Sequence, residues 1–382
     1  MALMTEPRPP TAKIVFITHE YSPFRGGVAT FVEEVGRALQ KKGEPVEIWA
    51  PDYGMNQPEA IECQVLRLPA GGSLRWKHLL QFTRAIAARR KDLEDSIVVM
   101  ASVGAHMAFM LPPILGRVKA HSLVSLLHGS EVLRFSRNPF WRVLAKRLYR
   151  TVDGIVTVSE FSRNLILQSF LNSFRGTIEI APCGCSSAAM RSATTKKLDD
   201  GLIRILTLAR IHPRKGQLDD ARALGQLPPE LRSRVIYQIG GTGDADYLRQ
   251  VQQTCADAGV AFENFGEVEP ELLADAYAQC DIYAMTSRRL RHSVEGFGIT
   301  YLDAGFHGKP VVAYRSGGAE EAVLDGETGL LVEEGDLTAL SRAFARLIAD
   351  AGLREKLGAR GRREATKRNW SSAAAAFLKF RH

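Results

Sequence analysis

The chain has 382 residues, of which 45% are hydrophobic and 24% are charged. That length exceeds one ordinary domain, so we expect two, each able to bury a core without disulfides or metals. The five cysteines form no recognisable framework, and Cys183 and Cys185 stand too close for the usual zinc spacing, so we expect reduced thiols in a cytosolic protein. The polar, proline-rich first ten residues predict no signal peptide, and no apolar run is long enough to span a membrane.

The formal net charge of +8 is concentrated in the first half of the chain. Through Met190 there are 23 Lys and Arg against 16 Asp and Glu, whereas the remainder has 27 against 26. This asymmetry predicts an anionic partner for the first half, either a lipid, a nucleic acid or a phosphorylated acceptor. Nucleic acid is not our expectation, because a nucleic-acid binder would also need aromatic residues interleaved along a basic groove.

Short apolar segments alternate with helical patterns through the first half. Residues 29–43 predict a helix, because Phe31, Val32, Val35 and Leu39 recur at helical spacing and Gly43 can end it. The predicted strands are "KIVFIT" (13–18), "PVEIWA" (45–50), "SIVVMA" (96–101), "SLVSLLHG" (122–129) and "GIVTVS" (154–159). Alternation of this kind indicates a parallel sheet with helices on both faces.

The same alternation restarts after a polar segment at 191–201, which we interpret as a linker. Strands are predicted at 203–209, 234–241, 261–266, 281–287 and 310–314. We therefore predict an α/β protein with two doubly wound Rossmann-like domains, residues 1–190 and 191–369, that face a cleft. In such sheets, ligands bind outside the carboxyl ends of the strands. "IGGTGD" (239–244) is too short for a dinucleotide fingerprint and predicts a tight turn.

Two candidate phosphate-binding segments follow predicted strands. Gly26 and Gly27 in "SPFRGGV" precede a helix, whose free N–H groups favour a phosphate; a flexible turn is the alternative. Arg210 and Lys215 in "LARIHPRKG" lie on one tight loop, and two cations there can clamp a diphosphate. A solvated basic loop is the alternative interpretation of the second segment.

Three further residues are candidates for contact with a sugar or its nucleotide. His128 ends an apolar strand in "LLHGSE" and could donate to a sugar hydroxyl or a developing oxyanion, although a lone His is more often structural. Glu295 lies in a glycine-flanked loop, and Asp303 lies eight residues later on a predicted helix. These two carboxylates could face one ligand at different places; helix capping and an exposed Asp303 are the alternative.

Taken together and in this order, these segments resemble the retaining glycosyltransferases of family 4, which have the GT-B fold. The most specific part is the acidic pair in "EGFGITYLD", followed by "GKPVVA", "GGAEEAV" and "DGETGLLV". The resemblance implies a hexosyltransferase with a nucleotide-sugar donor bound by residues 191–369 and an acceptor bound by residues 1–190. The final helix, within 370–382, would pack back on the first domain.

The resemblance also implies roles for individual residues. Arg210 and Lys215 would hold the donor diphosphate, and Gly26 and Gly27 would approach it from the first domain. The catalytic residues would be His128 and Glu295, which would contact the donor sugar. The remaining donor contacts would come from Asp303 at the ribose, the Val268 backbone at the base, and backbone N–H groups around Phe297 and Gly298.

The implied mechanism is same-face displacement without a metal or other cofactor, in which the leaving phosphate helps deprotonate the acceptor. We could not identify a carboxylate nucleophile in the first domain. The motif resembles GDP-mannose users, but UDP-hexose enzymes look similar, so the sugar stays open. The acceptor would be a cell-envelope lipid or glycan. A nucleotide-sugar epimerase, a phosphorylase and a non-catalytic sugar-nucleotide-binding subunit are the alternatives.

Three positions depart from the family pattern. Asp303 stands where the family usually has Glu, so a ribose contact would be weaker or water-mediated. Ala209 replaces the usual Gly before the phosphate arginine, and Cys183 precedes Gly184 where Asn-Gly is common. Each departure affects the exact geometry of the site and leaves the implied chemistry in place.

The stretch 134–150 has six basic residues and no acidic one. Phe140, Trp141, Leu144 and Leu148 recur near helical spacing, which predicts an amphipathic helix at an anionic bilayer surface. A second acid-free stretch at 73–90 adds five basic residues. We therefore expect a cytoplasmic protein, held peripherally at the inner face of the membrane; packing of Trp141 and Leu144 on the sheet is the alternative.

Overall fold

The computed structural model describes residues 12–24, 26–54, 63–112, 114, 116–170, 173–195 and 198–381. The first ten residues, on which the expectation about a signal peptide rests, lie outside this part. The chain divides into two units. The first contains residues 1–157, 165–181 and 370–382, and the second contains residues 158–164 and 182–369.

The first unit is built on a parallel sheet of seven strands in the order β3-β2-β1-β4-β5-β6-β7. The central strands are buried on both faces, as expected of a parallel sheet covered by helices. The strands are β1 Ile14–Ile17, β2 Val46–Pro51, β3 Gln64–Leu68, β4 Ile97–Met100, β5 Ser122–Leu127, β6 Gly154–Thr157 and β7 Thr177–Ile180. The sequence did not indicate β3 and β7, because these edge strands are half exposed and lack a continuous apolar run.

The second unit is built on a parallel sheet of six strands in the order β10-β9-β8-β11-β12-β13. Five of them fall where strands were predicted; β13, at the edge, was not predicted. The strands are β8 Ile203–Leu208, β9 Val235–Gly240, β10 Ala261–Asn264, β11 Ile282–Met285, β12 Val311–Tyr314 and β13 Gly329–Val332. Both sheets match the predicted doubly wound Rossmann-like type.

Helices cover both sheets. In the first unit they are α1 Gly27–Lys41, α2 Trp76–Ala88, α3 Val103–Phe109, α4 Ser130–Arg137, α5 Pro139–Tyr149 and α15 Trp370–Leu378. Helix α6, Glu160–Phe170, is divided between the two units. In the second unit they are α7 Gln217–Gly225, α8 Pro229–Arg232, α9 Ala245–Ala258, α10 Leu273–Gln279, α11 Ile299–Phe306, α12 Ala319–Ala322, α13 Leu337–Ala349 and α14 Ala351–Lys367.

The division between the units differs from the predicted boundary. It falls after Ala181 rather than after residue 190, and the polar segment 191–201 belongs to the second unit. The backbone and hydroxyl groups of Thr194 and Thr195 donate to the carboxylate of Asp275, at 2.6 to 3.0 Å. The segment thus has a packing partner that its composition does not reveal. The structure assigns Trp370–His382 to the first unit.

The basic stretch 134–150 is two helices rather than one. Helix α4 ends at Arg137, and the Asn138 side chain caps α5 by accepting from the backbone N–H of Trp141 at 3.2 Å. Leu148 is buried at 1% exposure. All four residues of the predicted apolar stripe lie on α5, and the stripe is partly internal, because Leu148 is buried while Phe140 is exposed.

Candidate functional site

The sheet of the second unit reverses its strand order between β8 and β11. From β8 the chain continues outward to β9 on one side, and β11 begins the other side. Open parallel sheets bind ligands at such a switch point, outside the carboxyl ends of the strands. The loop 209–216 follows β8 and the loop 286–298 follows β11, so both predicted motifs lie at this point.

An ion-pair cluster joins the two loops at the carboxylate of Glu295. Its Oε2 accepts from Lys215 Nζ at 2.6 Å, Arg214 Nη1 at 2.9 Å and Ser287 Oγ at 3.1 Å. The side chains of Lys215 and Glu295 are only 14% and 13% exposed. Separating such a buried pair would leave an uncompensated charge, which is strongly unfavourable. The side chains of Glu295 and Lys215 are therefore held against each other.

The cluster sets the protonation of both of its principal members. Burial alone would raise the pKa of Glu295, but the charges of Lys215 and Arg214 outweigh it and lower the pKa to about 2. Burial lowers the pKa of Lys215 to about 8, against the opposing attraction of Glu295. At neutral pH the site therefore presents a fixed carboxylate with two cations beside it.

Of the predicted cation pair, the structure brings Lys215 to Glu295 but not Arg210. Arg210 is exposed on the same loop, and within the described residues its side chain has no ion pair. Arg214, which the sequence analysis did not select, makes the second ion pair with Glu295. The 3-10 turn Pro213–Lys215 carries Arg214 and Lys215 together, and the proline at its start was the available signal.

Glycines allow the loops of this site to pack backbone against backbone. Gly216 has φ 79°, and a Cβ there would collide with the carbonyl oxygen of Thr286. A Cβ on Gly317 or Gly318 would collide with the carbonyl oxygen of Glu295 or Gly296, and the Gly318 N–H donates to the Glu295 carbonyl at 2.9 Å. The glycines around Glu295 thus fix the loop that carries it.

The three remaining candidates in this region are in or beside the same loops. Gly298, with φ 92°, is the N-cap of α11. Phe297 is buried, and the guanidinium of Arg368 lies 5.1 Å from its ring centroid. Val268 is half-buried, and its side chain would lie 2.7 Å from a Cβ on Gly240, at the end of β9. Their contacts with a donor stay predictions.

Asp303 is buried rather than presented on the helix surface, with 4% of its area exposed. Its two carboxylate oxygens accept from the backbone N–H and the hydroxyl of Ser186, at 2.8 and 2.9 Å. The alternative of an exposed Asp303 is therefore wrong. A ribose contact stays a prediction, and it would have to share a carboxylate that already holds Ser186.

The predicted residues of the first unit lie at the ends of α1 and β5. Gly26 and Gly27 begin α1, and a Cβ on Gly27 would meet no atom within 4 Å in the described structure. The packing of the chain gives no reason for glycine at position 27. An approach of these glycines to a phosphate stays a prediction.

His128 directly follows β5 and stacks edge-on against Phe31, with ring centroids 5.4 Å apart. Burial lowers the pKa of His128 to about 4, while Glu20 and a hydrogen bond to the Ala101 backbone oppose the shift. Its Nε2 is buried and has no hydrogen-bond partner in the described residues, so the Ala101 bond uses Nδ1. A neutral His128 therefore offers Nε2 as an acceptor, whereas the sequence suggested a donor.

Two family models match this chain. "Glycosyltransferase Family 4" matches residues 25–187, and "Glycosyl transferases group 1" matches residues 192–364. Among the described residues, no helix has the length and apolar character needed to cross a membrane.

Known relatives cover nearly the whole chain. A Mycolicibacterium smegmatis protein named GDP-mannose-dependent alpha-(1-6)-phosphatidylinositol monomannoside mannosyltransferase is 31% identical over 378 residues, covering 94% of each chain. A D-inositol 3-phosphate glycosyltransferase of Xylanimonas cellulosilytica is 28% identical over 395 residues, covering 92% of this chain and 90% of its own.

A solved structure gives the fold. Sucrose-phosphate synthase of Thermosynechococcus elongatus superposes with a TM-score of 0.81 at 20% identity, covering 96% of this chain and 98% of its own. This agrees with the two sheets described above and with the predicted GT-B architecture. The chain belongs to glycosyltransferase family 4 and is a hexosyltransferase related to GDP-mannose-dependent mannosyltransferases.

Proposed function

We propose that this glycosyltransferase moves mannose from GDP-mannose to the inositol or mannose moiety of a phosphatidylinositol-type glycolipid, with retention of configuration and without a metal. The observation that carries the proposal is the Glu295–Lys215–Arg214 cluster at the switch point of the second sheet. The relatives' names supply the choice of mannose and of an inositol lipid.

The cluster suits departure of a nucleoside diphosphate. Lys215 and Arg214 are preorganised by Glu295, so they need no reorganisation when negative charge develops on the leaving oxygen. Arg210 extends the same cationic surface from its exposed position on the loop. In the proposed reaction the bond from the anomeric carbon to phosphate breaks as the acceptor oxygen bonds on the same face. The leaving phosphate takes the hydroxyl proton, which balances the step.

The proposal is tested by incubating the protein with GDP-mannose and short-chain phosphatidylinositol monomannoside, with and without EDTA. We expect a mannosylated lipid whose new linkage is α by NMR, in equal yield with EDTA. UDP-glucose serves as the competing donor. A β product would overturn retention, loss of product in EDTA would overturn metal independence, and transfer only from UDP-glucose would overturn the donor.

Arg214→Ala and Arg210→Ala separate the two arginines. We expect Arg214→Ala to slow transfer by roughly 100-fold, in the range seen when one preorganised donor is removed. Arg210→Ala should weaken binding of GDP in calorimetry without disturbing the Glu295 cluster. Near-normal transfer in both variants would remove the phosphate clamp from the proposal.

We also propose that the first unit contacts an anionic bilayer through an aromatic and basic surface formed by the starts of α2 and α5. Trp76 and Phe140 are 52% and 57% exposed, and the rings of Trp76 and Trp141 lie 6.4 Å apart. The two acid-free stretches thus meet on the described surface. The same two segments carry further exposed basic side chains: Arg75, Lys77, Arg142 and Arg147.

Aromatic side chains favour the membrane interface, and each basic residue near an anionic surface contributes about 1 kcal/mol. Co-sedimentation with vesicles containing phosphatidylinositol, at low and high salt, tests this surface. We expect salt-sensitive binding that falls in a Phe140→Ser, Arg142→Ser double variant and persists in the exposed-site control Arg342→Ser. Recovery of wild-type protein in the supernatant at low salt would contradict it.

A further inference from the structure

The sheet of the first unit has its own switch point, between β1 and β4. The loops that leave these strands carry His19 and Glu20 after β1 and Ser102 after β4. No motif in the sequence singled out these three residues. They meet because parallel strands present their carboxyl ends at one edge of the sheet.

His19 is fixed by three hydrogen bonds to the loop after β4. Its backbone N–H donates to Ser102 Oγ at 2.9 Å, and its Nδ1 bonds that same hydroxyl at 2.7 Å. The backbone N–H of Gly104 donates to Nδ1 at 3.2 Å. Because an amide N–H can only donate, Nδ1 is an acceptor, and the proton of the neutral ring is on Nε2.

The surroundings of His19 are built to hold the ring in this position. A Cβ on Gly104 would lie 2.5 Å from Cγ of His19, so a larger residue would displace the imidazole. The fully buried His106 bonds the Ser102 carbonyl at 2.8 Å and Ser125 Oγ at 2.7 Å, which anchors the loop from the other side.

The Nε2 of His19 faces Glu20, whose Oε1 lies 3.4 Å away. The backbone of Glu20 is held by Thr18, whose Oγ1 accepts from the Glu20 N–H at 3.1 Å and donates to the Glu20 carbonyl at 3.0 Å. The Glu20 side chain is nevertheless 35% exposed. One carboxylate oxygen thus lies beside a histidine ring nitrogen, while the group as a whole stays accessible.

Glu20 and His128 follow two strands of the same sheet in the first unit, β1 and β5. Strand β5, which His128 follows, pairs with β4, and β4 pairs with β1, so the loops that carry His128 and Glu20 leave the same edge of the sheet. The charge of Glu20 also opposes the effect of burial on the His128 pKa. Both present acceptors, namely a carboxylate and the unpartnered Nε2 of His128. Such a pair favours a ligand rich in hydroxyl donors and repels an anion.

We propose that Glu20 binds a vicinal diol of the sugar or cyclitol acceptor, one hydroxyl on each carboxylate oxygen, and that His19 is the positioning residue that orients it. This inference rests on the proposed function, since it assigns the acceptor side of the same reaction. The diol is a neutral part of the acceptor; a phosphate on that acceptor binds elsewhere.

Equilibrium binding without any donor gives the first test. Short-chain phosphatidylinositol monomannoside is titrated into wild type, Glu20→Gln, Glu20→Asp and the control Glu94→Gln, which alters an exposed carboxylate of the same unit. We expect Glu20→Gln to raise the dissociation constant at least tenfold, equal to about 1.4 kcal/mol. Glu20→Asp should lose less, and Glu94→Gln should match wild type. A Glu20→Gln affinity within twofold of wild type overturns the proposal.

Kinetics then distinguish acceptor binding from a structural role. In Glu20→Gln and in His19→Gln we expect a higher acceptor KM, while hydrolysis of GDP-mannose without acceptor stays at the wild-type rate. Equal loss of hydrolysis and transfer would assign Glu20 to stability or to the donor and overturn its acceptor role. If wild type neither hydrolyses GDP-mannose nor transfers from it, the proposed function fails, and the donor-free titration still decides the role of Glu20.

Discussion

The residue that we expect to control the pH range of the proposed donor site is Lys215. Burial lowers its pKa to about 8, while Glu295, with a pKa of about 2, stays ionised throughout. As pH rises through about 8, the ammonium is lost and the cluster loses half of its positive charge. We expect kcat/KM for the donor to fall on this alkaline side.

Lys215→Arg tests this directly, since an arginine stays charged at every pH of interest. In this variant, kcat/KM for the donor should stay constant between about pH 7 and pH 10, even if its maximum is lower. Profiles of both proteins are measured with the same donor. An alkaline limb that is unchanged in Lys215→Arg would show that another group titrates.

Asp303 illustrates a residue whose place the sequence predicted without predicting its partner. Ser186→Ala should lower the free energy of unfolding by about 1 kcal/mol, since it removes the hydroxyl bond to the carboxylate. Asp303→Ala should cost about 2–3 kcal/mol, because it also leaves the buried Ser186 N–H unpaired. Urea unfolding measures both. If Asp303 also binds ribose, GDP affinity falls in Asp303→Ala alone; equal GDP affinity in both variants would leave it a structural role.

At the scale of the elements, Gly216 links the cation loop to β11. Gly216→Ala combines the strain of a left-handed backbone, about 1–2 kcal/mol, with a collision against the Thr286 carbonyl. Gly259→Ala is the matched control, because Gly259 has a similar φ of 67° and nothing within 4 Å of its Cβ. We expect Gly216→Ala to be the less stable protein in urea and to lose transfer as well. Equal stability of the two variants would contradict the packing role.

The strands themselves show which elements a sequence can indicate. Central strands such as β1 and β8 are wholly buried, so their apolar runs were recognisable. The edge strands β3 and β7 are half exposed, and their mixed composition resembles loops. Asn138 shows the same limit for helices. The basic stretch 134–150 was interpreted as one helix, but the capping bond of Asn138 begins a second helix within it.

At the scale of the whole molecule, the last residues complete the core of the first unit. The ring of Trp370 packs 5.5 Å from that of Phe31, and Phe377 packs 5.3 Å from Phe16. Lys379 also donates to Glu179 at 2.7 Å. A chain that ends at Asn369 would expose this core, and burial of each large apolar side chain contributes about 1.5–3 kcal/mol.

We therefore expect truncation after Asn369 to destabilise the first unit while leaving the second folded. Hydrogen exchange followed by mass spectrometry resolves the two. Peptides from β1 and α1 should exchange faster in the truncated chain, and peptides from β8 and β11 should keep their protection. Loss of protection throughout the chain would mean that the units do not unfold separately.

The sequence by itself determined the two parallel sheets, the family and the loops that carry the Glu295 cluster, because these depend on apolar runs, turns and motifs that are local in the chain. Only the tertiary structure decided that Arg214 joins Lys215 at Glu295, that Asp303 holds Ser186, and that Ser102 holds His19. Those contacts join residues that lie from 80 to 117 positions apart in the chain. Strand order and hydrogen-bond geometry fix such contacts, and neither is written in local composition.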